Sequence, residues 1–316
     1  MPTIPIMTQY LPRKHLAIIG AALFVLAALY AGLSWYVVDQ ALQGEITTFE
    51  HHPDDFGMTF EEVEFTPRGD DSITLRGWWL PARDPLATLV WAHGIDKNRA
   101  ERLPMIKQLV DFGFSALVFD FRGHGESDPV SLGARYHETR DVDGAIDFVL
   151  ADKNAQPGKL LLMGQSFGAG VTLMAGVDEP AVAGVFLDSP FASLEDVMIG
   201  EIEKRTPFPS WLAEALRPGI VGMGKLRGID IPAIRPEAVV SQYTLPIALA
   251  HCQDDERIPV EHTIRIRTAA PGPVWMNLYP GCAHADAYDD FTDQYMSIVF
   301  NYFLERLGSL PPEGSP

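Results

Sequence analysis

Residues 160–170 read LLLMGQSFGAG. The first four form an unbroken apolar run of strand length, which stops at Gly164-Gln165-Ser166-Phe167-Gly168. Small and apolar residues of helical character follow through Ala175. This is G-x-S-x-G between a strand and a helix, a turn that holds its serine in a strained backbone conformation with Oγ exposed. The flanking glycines omit the Cβ atoms that would meet the neighbouring strand and helix. The N-terminal end of the following helix favours developing negative charge. Ser166 is a candidate nucleophile on these grounds, provided that the rest of the chain supplies a base and a carboxylate.

Outward from this stretch, strand and helix patterns alternate. Residues 62–65 and 73–80 read as two strands joined by a Gly/Asp turn at 69–72, a hairpin. Strands follow at 88–92, 115–121, 160–163, 183–187, 246–250 and 274–278. Helical spacing is seen at 100–112, 136–150, around 261–268 and at 286–307. The succession specifies an α/β domain with a mainly parallel eight-stranded sheet and helices on both faces. Residues 191–244 are longer than a crossover needs and carry Phe208, Trp211, Ile220 and Ile231. They are expected to form a small helical cap over the strand C-termini, where open α/β sheets bind ligands. The α/β domain is read as 58–308 and the tail 309–316 as flexible.

Residues 16–38, LAIIGAALFVLAALYAGLSWYVV, carry no charge and are long enough to cross a hydrocarbon core. Arg13 and Lys14 precede them; Asp39 and Glu45 follow. The positive-inside rule puts residues 1–15 in the cytoplasm and the remainder outside, with Trp35 and Tyr36 at an interfacial belt. An uncleaved anchor is preferred over a cleaved signal peptide, because the run is long and no A-x-A site follows. A buried core helix is disfavoured by the lack of a polar face. Residues 39–57, with His51, His52, Asp54 and Asp55, are expected to be a solvated linker and not a metal site.

Among 316 residues, 47% are apolar and the net charge is −18. No Lys/Arg cluster is present to neutralise phosphates, so nucleic-acid binding is excluded. The two cysteines, Cys252 and Cys282, are too few for a disulfide framework, and no C-x-x-C pair suggests zinc.

A serine nucleophile needs a base, and the base needs an orienting carboxylate. Downstream of Ser166 stand His251, His262 and His284. His284 lies in a loop between the last strand and the last helix and is the best candidate. His251 ends a strand and is expected to make structural hydrogen bonds. His262 is expected on a solvated helix surface. Asp254, Asp255, Glu256 and Asp188 are candidate acids that composition does not rank.

Five ordered motifs carry a resemblance. They are Trp91-Ala92-His93-Gly94, the 120–127 stretch DFRGHGES, the GQSFG elbow, the 251–259 stretch HCQDDERIP and the 281–286 stretch GCAHAD. Together they resemble an α/β-hydrolase-fold serine hydrolase, similar to bacterial membrane-anchored hydrolases of the S33 serine aminopeptidase or BEM46-like type. Aligning Ile258-Pro259 with the family's Val-Pro selects Asp255 as the acid. The resemblance implies a Ser166, Asp255, His284 triad, with an oxyanion hole formed by the backbone N–H groups of Ile95 and Phe167. It implies no cofactor and no metal. His93 is expected to brace its turn, Asp120, Arg122 and His124 to form a structural network, and Asp286 to cap the last helix.

Cys252 stands where the family has Gly, and Cys282 lies two residues before His284. The two loops follow adjacent strands in this fold, so a disulfide between them outside the cytoplasm is one reading and two buried thiols the other. The implied substrate is a small-molecule or lipid-like acyl compound. Ester cleavage is the leading expectation, with peptidase, lipid or thioester hydrolysis on the same triad as alternatives, and a non-catalytic membrane-tethered module behind them. A serine at the elbow argues against haloalkane dehalogenase and epoxide hydrolase chemistry.

Overall fold

The computed structural model describes residues 13–41, 47–130, 137–207 and 209–308. Glu45, Tyr136, Phe208, most of the expected cytoplasmic segment and the tail lie outside the described residues.

The domain is built on one eight-stranded sheet with strand order β1-β2-β4-β3-β5-β6-β7-β8. Its strands are β1 (Glu61–Phe65), β2 (Leu75–Leu80), β3 (Ala87–Ala92), β4 (Phe114–Phe119), β5 (Leu160–Gln165), β6 (Val182–Asp188), β7 (Ile247–Cys252) and β8 (Val274–Tyr279). β2 is antiparallel to both β1 and β4, and all other pairings are parallel. The helices are α1 (Arg13–Ala41), α2 (Leu103–Phe112), α3 (Thr139–Asp152), α4 (Phe167–Ala175), α5 (Leu194–Arg205), α6 (Ser210–Leu226), α7 (Pro236–Val239), α8 (Glu261–Ala269), α9 (Ala287–Asp290) and α10 (Thr292–Arg306).

β5 shows why the opening stretch is so informative. All six of its residues are buried, because helices cover both faces of a parallel sheet. Leu160 and Leu162 join one hydrophobic cluster and Leu161 and Met163 the other, as the two-residue period of a strand requires.

Several boundaries differ from expectation for identifiable reasons. β1 and β2 pair from Phe65–Leu75 outward, so the connection 66–74 is longer than a tight turn. β4 stops at Phe119: the Phe121 N–H leaves the ladder and donates to His93 Nε2 at 3.1 Å. α2 starts at Leu103 with Pro104 in its first turn. The single C-terminal helix expected at 286–307 is two, α9 and α10, parted at Phe291, whose ring packs against Tyr279. The 47–57 segment, expected to be solvated, lays Phe49 against Trp78, with the Arg99 guanidinium over both rings.

Between β6 and β7 the chain forms α5, α6 and α7, and α5 lines a cavity that reaches Ser166. α1 is solvent-exposed through Tyr30 and then buries Ser34 and Val38 on one face. Its C-terminal turns pack into a third hydrophobic cluster with Leu194, Met198, Leu216 and Ile220. α1 is long and apolar enough to cross a membrane.

Candidate active site

β3, β5, β7 and β8 all point their C-terminal ends at one sheet edge, and each hands a loop to the site. Ser166 follows β5 directly, with φ 55° and ψ −115°. Its φ lies in a region that ordinary residues avoid. The turn is tight because β3 runs alongside: a Cβ on Gly168 would lie 2.2 Å from the Ala92 carbonyl oxygen. Only glycine allows α4 to start this close to the sheet.

The Ser166 hydroxyl faces His284, its Oγ 2.7 Å from Nε2. On the other side of the ring, Nδ1 is 2.6 Å from Asp255 Oδ2. With Nδ1–H donating to the carboxylate, Nε2 is free to accept from the serine. The Asp255 carboxylate is fully enclosed. Its Oδ1 accepts the backbone N–H groups of Arg257 at 2.9 Å and Ile258 at 2.8 Å. Burial acts to raise its pKa. Hydrogen bonds from His251 and His284, the His284 charge and the Ile258 N–H outweigh that and hold it well below the usual carboxylate range.

The other candidates go elsewhere. Asp254 is exposed and accepts the Gly281 N–H at 2.8 Å. Glu256 is exposed. Asp188 is buried and bonded to Gln165, Ser189 and Tyr295. His251 is buried, bonded to Thr263 and to the Ile258 carbonyl, with Nε2 3.2 Å from Asp255 Oδ2.

His262 corrects the expectation of a solvated residue: α8 turns it inward, and its Nδ1 accepts the Ala192 N–H at 3.0 Å. Burial and the nearby Arg265 charge push its pKa down to about 4. Asp286 precedes α9, not the last long helix, and its side chain caps no helix N–H.

His93 braces its turn. Nδ1–H donates to the Gly94 carbonyl at 2.7 Å while Nε2 accepts from Phe121, and burial lowers its pKa, keeping the ring neutral. Asp120 accepts the N–H groups of Arg99 at 2.6 Å and Glu126 at 3.0 Å. Arg122 donates to Asp141, with Nε 2.9 Å from Oδ1, and the His124 ring lies against the Arg122 carbonyl. Cys252 and Cys282 are disulfide-bonded, joining the end of β7 to the loop that carries His284.

Three residues of the site carried no sequence signal. Gln165 Nε2 donates to the Ala285 carbonyl at 3.0 Å and to Asp188 at 3.1 Å. Arg102 donates to Gln165, to the Ala285 carbonyl at 2.6 Å and to Asp289. Glu101 accepts the Gly94 N–H at 2.7 Å, and burial raises its carboxyl pKa. All three partnerships are long-range or run to backbone groups, which no residue pattern announces.

Two cavities meet at Ser166. One, of about 620 Å³, is polar and carries charges of both signs, with Glu50, Asp96, Glu101 and Asp289 beside Lys97, Arg102 and Arg257 among its walls. The other, of about 350 Å³, is lined largely by apolar side chains including Phe191, Val197, Met198 and Ile202. Ile95 lines both and Phe167 the second. Among the described residues no cluster of His, Cys, Asp and Glu is arranged to hold a metal.

Comparison with known proteins agrees with this architecture. Residues 83–227, which include Ser166 and end before Asp255 and His284, match the family model "Serine aminopeptidase, S33". The chain is 29% identical over 273 residues to Uncharacterized protein YfhR of Escherichia coli O157:H7, covering 82% of this chain and 87% of that one. It is 24% identical over 304 residues to Uncharacterized protein YqkD of Bacillus subtilis (strain 168), covering 93% and 98%. Among solved structures, the Pyrococcus furiosus esterase Pf2001 superposes with a TM-score of 0.67 at 21% identity, over 84% of this chain and 97% of that one. The α/β hydrolase GrgF from Penicillium sp. gives 0.63 at 19%, over 79% and 100%. The eight-stranded sheet and these matches together give the chain the α/β-hydrolase fold, and its central residues match the S33 serine aminopeptidase model.

Proposed function

We propose that the protein is a serine hydrolase that cleaves a carboxylic ester or related acyl bond through an acyl-serine intermediate. The observation that carries this reading is the continuous relay from Ser166 Oγ through the His284 ring to Asp255. Ser166 attacks the substrate carbonyl while His284 Nε2 takes its proton. Asp255 holds the ring tautomer and stabilises the imidazolium. The N–H groups of Ile95 and Phe167 hold the oxyanion, donors worth about 3 kcal/mol each where they are preorganised. His284 returns the proton to the leaving group, then activates water to release the acid.

The paired cavities favour an amphiphilic substrate, acyl group on the apolar side and leaving group on the polar side. The esterase among the structural neighbours fits this reading. Peptidase action is a second reading, supported by the family match. We place the catalytic domain outside the cytoplasm, in keeping with Arg13 and Lys14 before α1 and with a disulfide that persists in oxidising compartments.

A fluorophosphonate probe tests the core of the proposal. It should label the wild type and fail on Ser166→Ala, whose thermal unfolding should stay close to wild type; an unlabelled wild type would refute it. Parallel assays on nitrophenyl esters and aminoacyl anilides separate esterase from peptidase.

A further inference from the structure

Two helices supply much of the wall of the apolar cavity beside Ser166. α5 supplies Val197, Met198 and Ile202, and the end of α1 supplies Tyr36, Val37, Gln40 and Ala41. A helix that only tethered the chain would not line a cavity opening on the candidate nucleophile.

α1 is fixed in that position by specific contacts. Val38 is buried, and Leu33, Val37 and Ala41 pack into the cluster formed by α5 and α6. The Tyr30 hydroxyl donates to the Ala215 carbonyl and accepts the Gly219 N–H, both at 2.9 Å. These two groups lie beside Pro218, which already interrupts the α6 ladder. A Cβ on Gly219 would lie 2.2 Å from Ser34 Oγ, so the helices meet through a glycine. Arg227 donates to Asp39 at 3.0 Å and stacks on Trp35.

The two sets of contacts run in the same direction along both helices, so α6 lies parallel to α1. Its first turn, with Trp211 70% exposed, points back toward the apolar half of α1. A hydrocarbon core of ~30 Å takes about 20 helical residues. Counted from Leu16, those residues reach Trp35, yet α1 is already joined to α6 at Tyr30. The spanning and docked segments overlap, which draws α6 and the cavity rim into the interfacial region. Trp35 and Tyr36 are exposed there and are residue types suited to that layer.

We propose that α1 is a wall of the acyl-binding site, and that the acyl chain of a single-chain membrane ester passes from the bilayer along α1 to Ser166. The proposal rests on the serine-hydrolase reading above. The Ser166 Oγ–acyl bond forms as the ester C–O bond breaks, the alcohol leaves with the proton carried by His284, and water then releases the fatty acid.

The test uses the full chain in phosphatidylcholine nanodiscs, with p-nitrophenyl acetate and p-nitrophenyl laurate as probes. In Val37→Trp the indole fills the wall, and the laurate-to-acetate ratio of kcat/KM should fall at least about tenfold. Gly219→Leu, which prises α1 from α6, should lower the same ratio. Ala41→Trp serves as a second wall variant should Val37→Trp fail to take the fluorophosphonate label. An unmoved ratio in these labelled variants overturns the proposal while leaving the serine-hydrolase reading intact. A wild type that takes no label and cleaves neither ester overturns both.

Discussion

Gln165 holds Ala285: the side-chain amide of the residue before Ser166 donates to the carbonyl of the residue after His284, at 3.0 Å. The nucleophile turn and the histidine loop are thereby registered against each other by their immediate neighbours. Arg102 reinforces the joint by binding both partners. Gln165→Ala should therefore lower kcat by up to about 100-fold with KM little changed, as misplacement of a reacting group does. Steady-state kinetics on a soluble ester checks this; a change confined to KM would refute the positioning role.

Asp255→Asn should lower kcat by about four orders of magnitude, because an amide there can donate to Nδ1 and favour the wrong tautomer. Asp254→Asn and Glu256→Gln should leave kcat within about twofold, since neither carboxylate is bonded to His284. Equal losses in all three variants would show that Asp255 is not the orienting acid.

The same carboxylate predicts a pH dependence of stability. Its pKa is depressed in the folded protein. It therefore contributes stability above its unfolded value of about 4, and that contribution is lost as pH falls through the folded value. Thermal melts of the wild type should drop steeply on acidification below about pH 4, and those of Asp255→Asn should drop less. Parallel curves would contradict the assignment.

The Cys252–Cys282 bridge closes a loop with a sequence separation of 30, a size at which a disulfide contributes about 3–4 kcal/mol in the chain-entropy account. Reduction, or the paired Cys→Ser change, should lower the melting temperature and reduce ester turnover, because the bridge joins the strand before Asp255 to the loop bearing His284. Calorimetry with and without reductant checks it. Free alkylatable thiols in protein purified without reductant would refute the bridge.

The fold was legible wherever a local pattern had a local cause. The apolar run of β5 announces a strand covered on both faces, and Gly164 and Gly168 announce a turn pressed against its neighbours. The ordered loops around Asp255 and His284 were legible because each sits at a strand end with a distinctive short sequence. What stayed hidden depends on distant partners. His262 looks like a surface histidine until α8 packs it against Ala192, and Gln165 is simply the variable position of G-x-S-x-G until Ala285 arrives beside it. α1 looked uniformly apolar, and hydropathy could not reveal that its last turns have a partner in α6.

That partnership bears on whether α1 is interchangeable. A plain tether tolerates replacement by any apolar helix of equal length. Here the hydroxyl of Tyr30 bonds two main-chain groups of α6 and Gly219 leaves room for Ser34, so a foreign apolar helix would match α1 in hydropathy and miss its contacts. Catalytic domains prepared without α1 would lose part of their own core, and their measured preferences would belong to a different cavity.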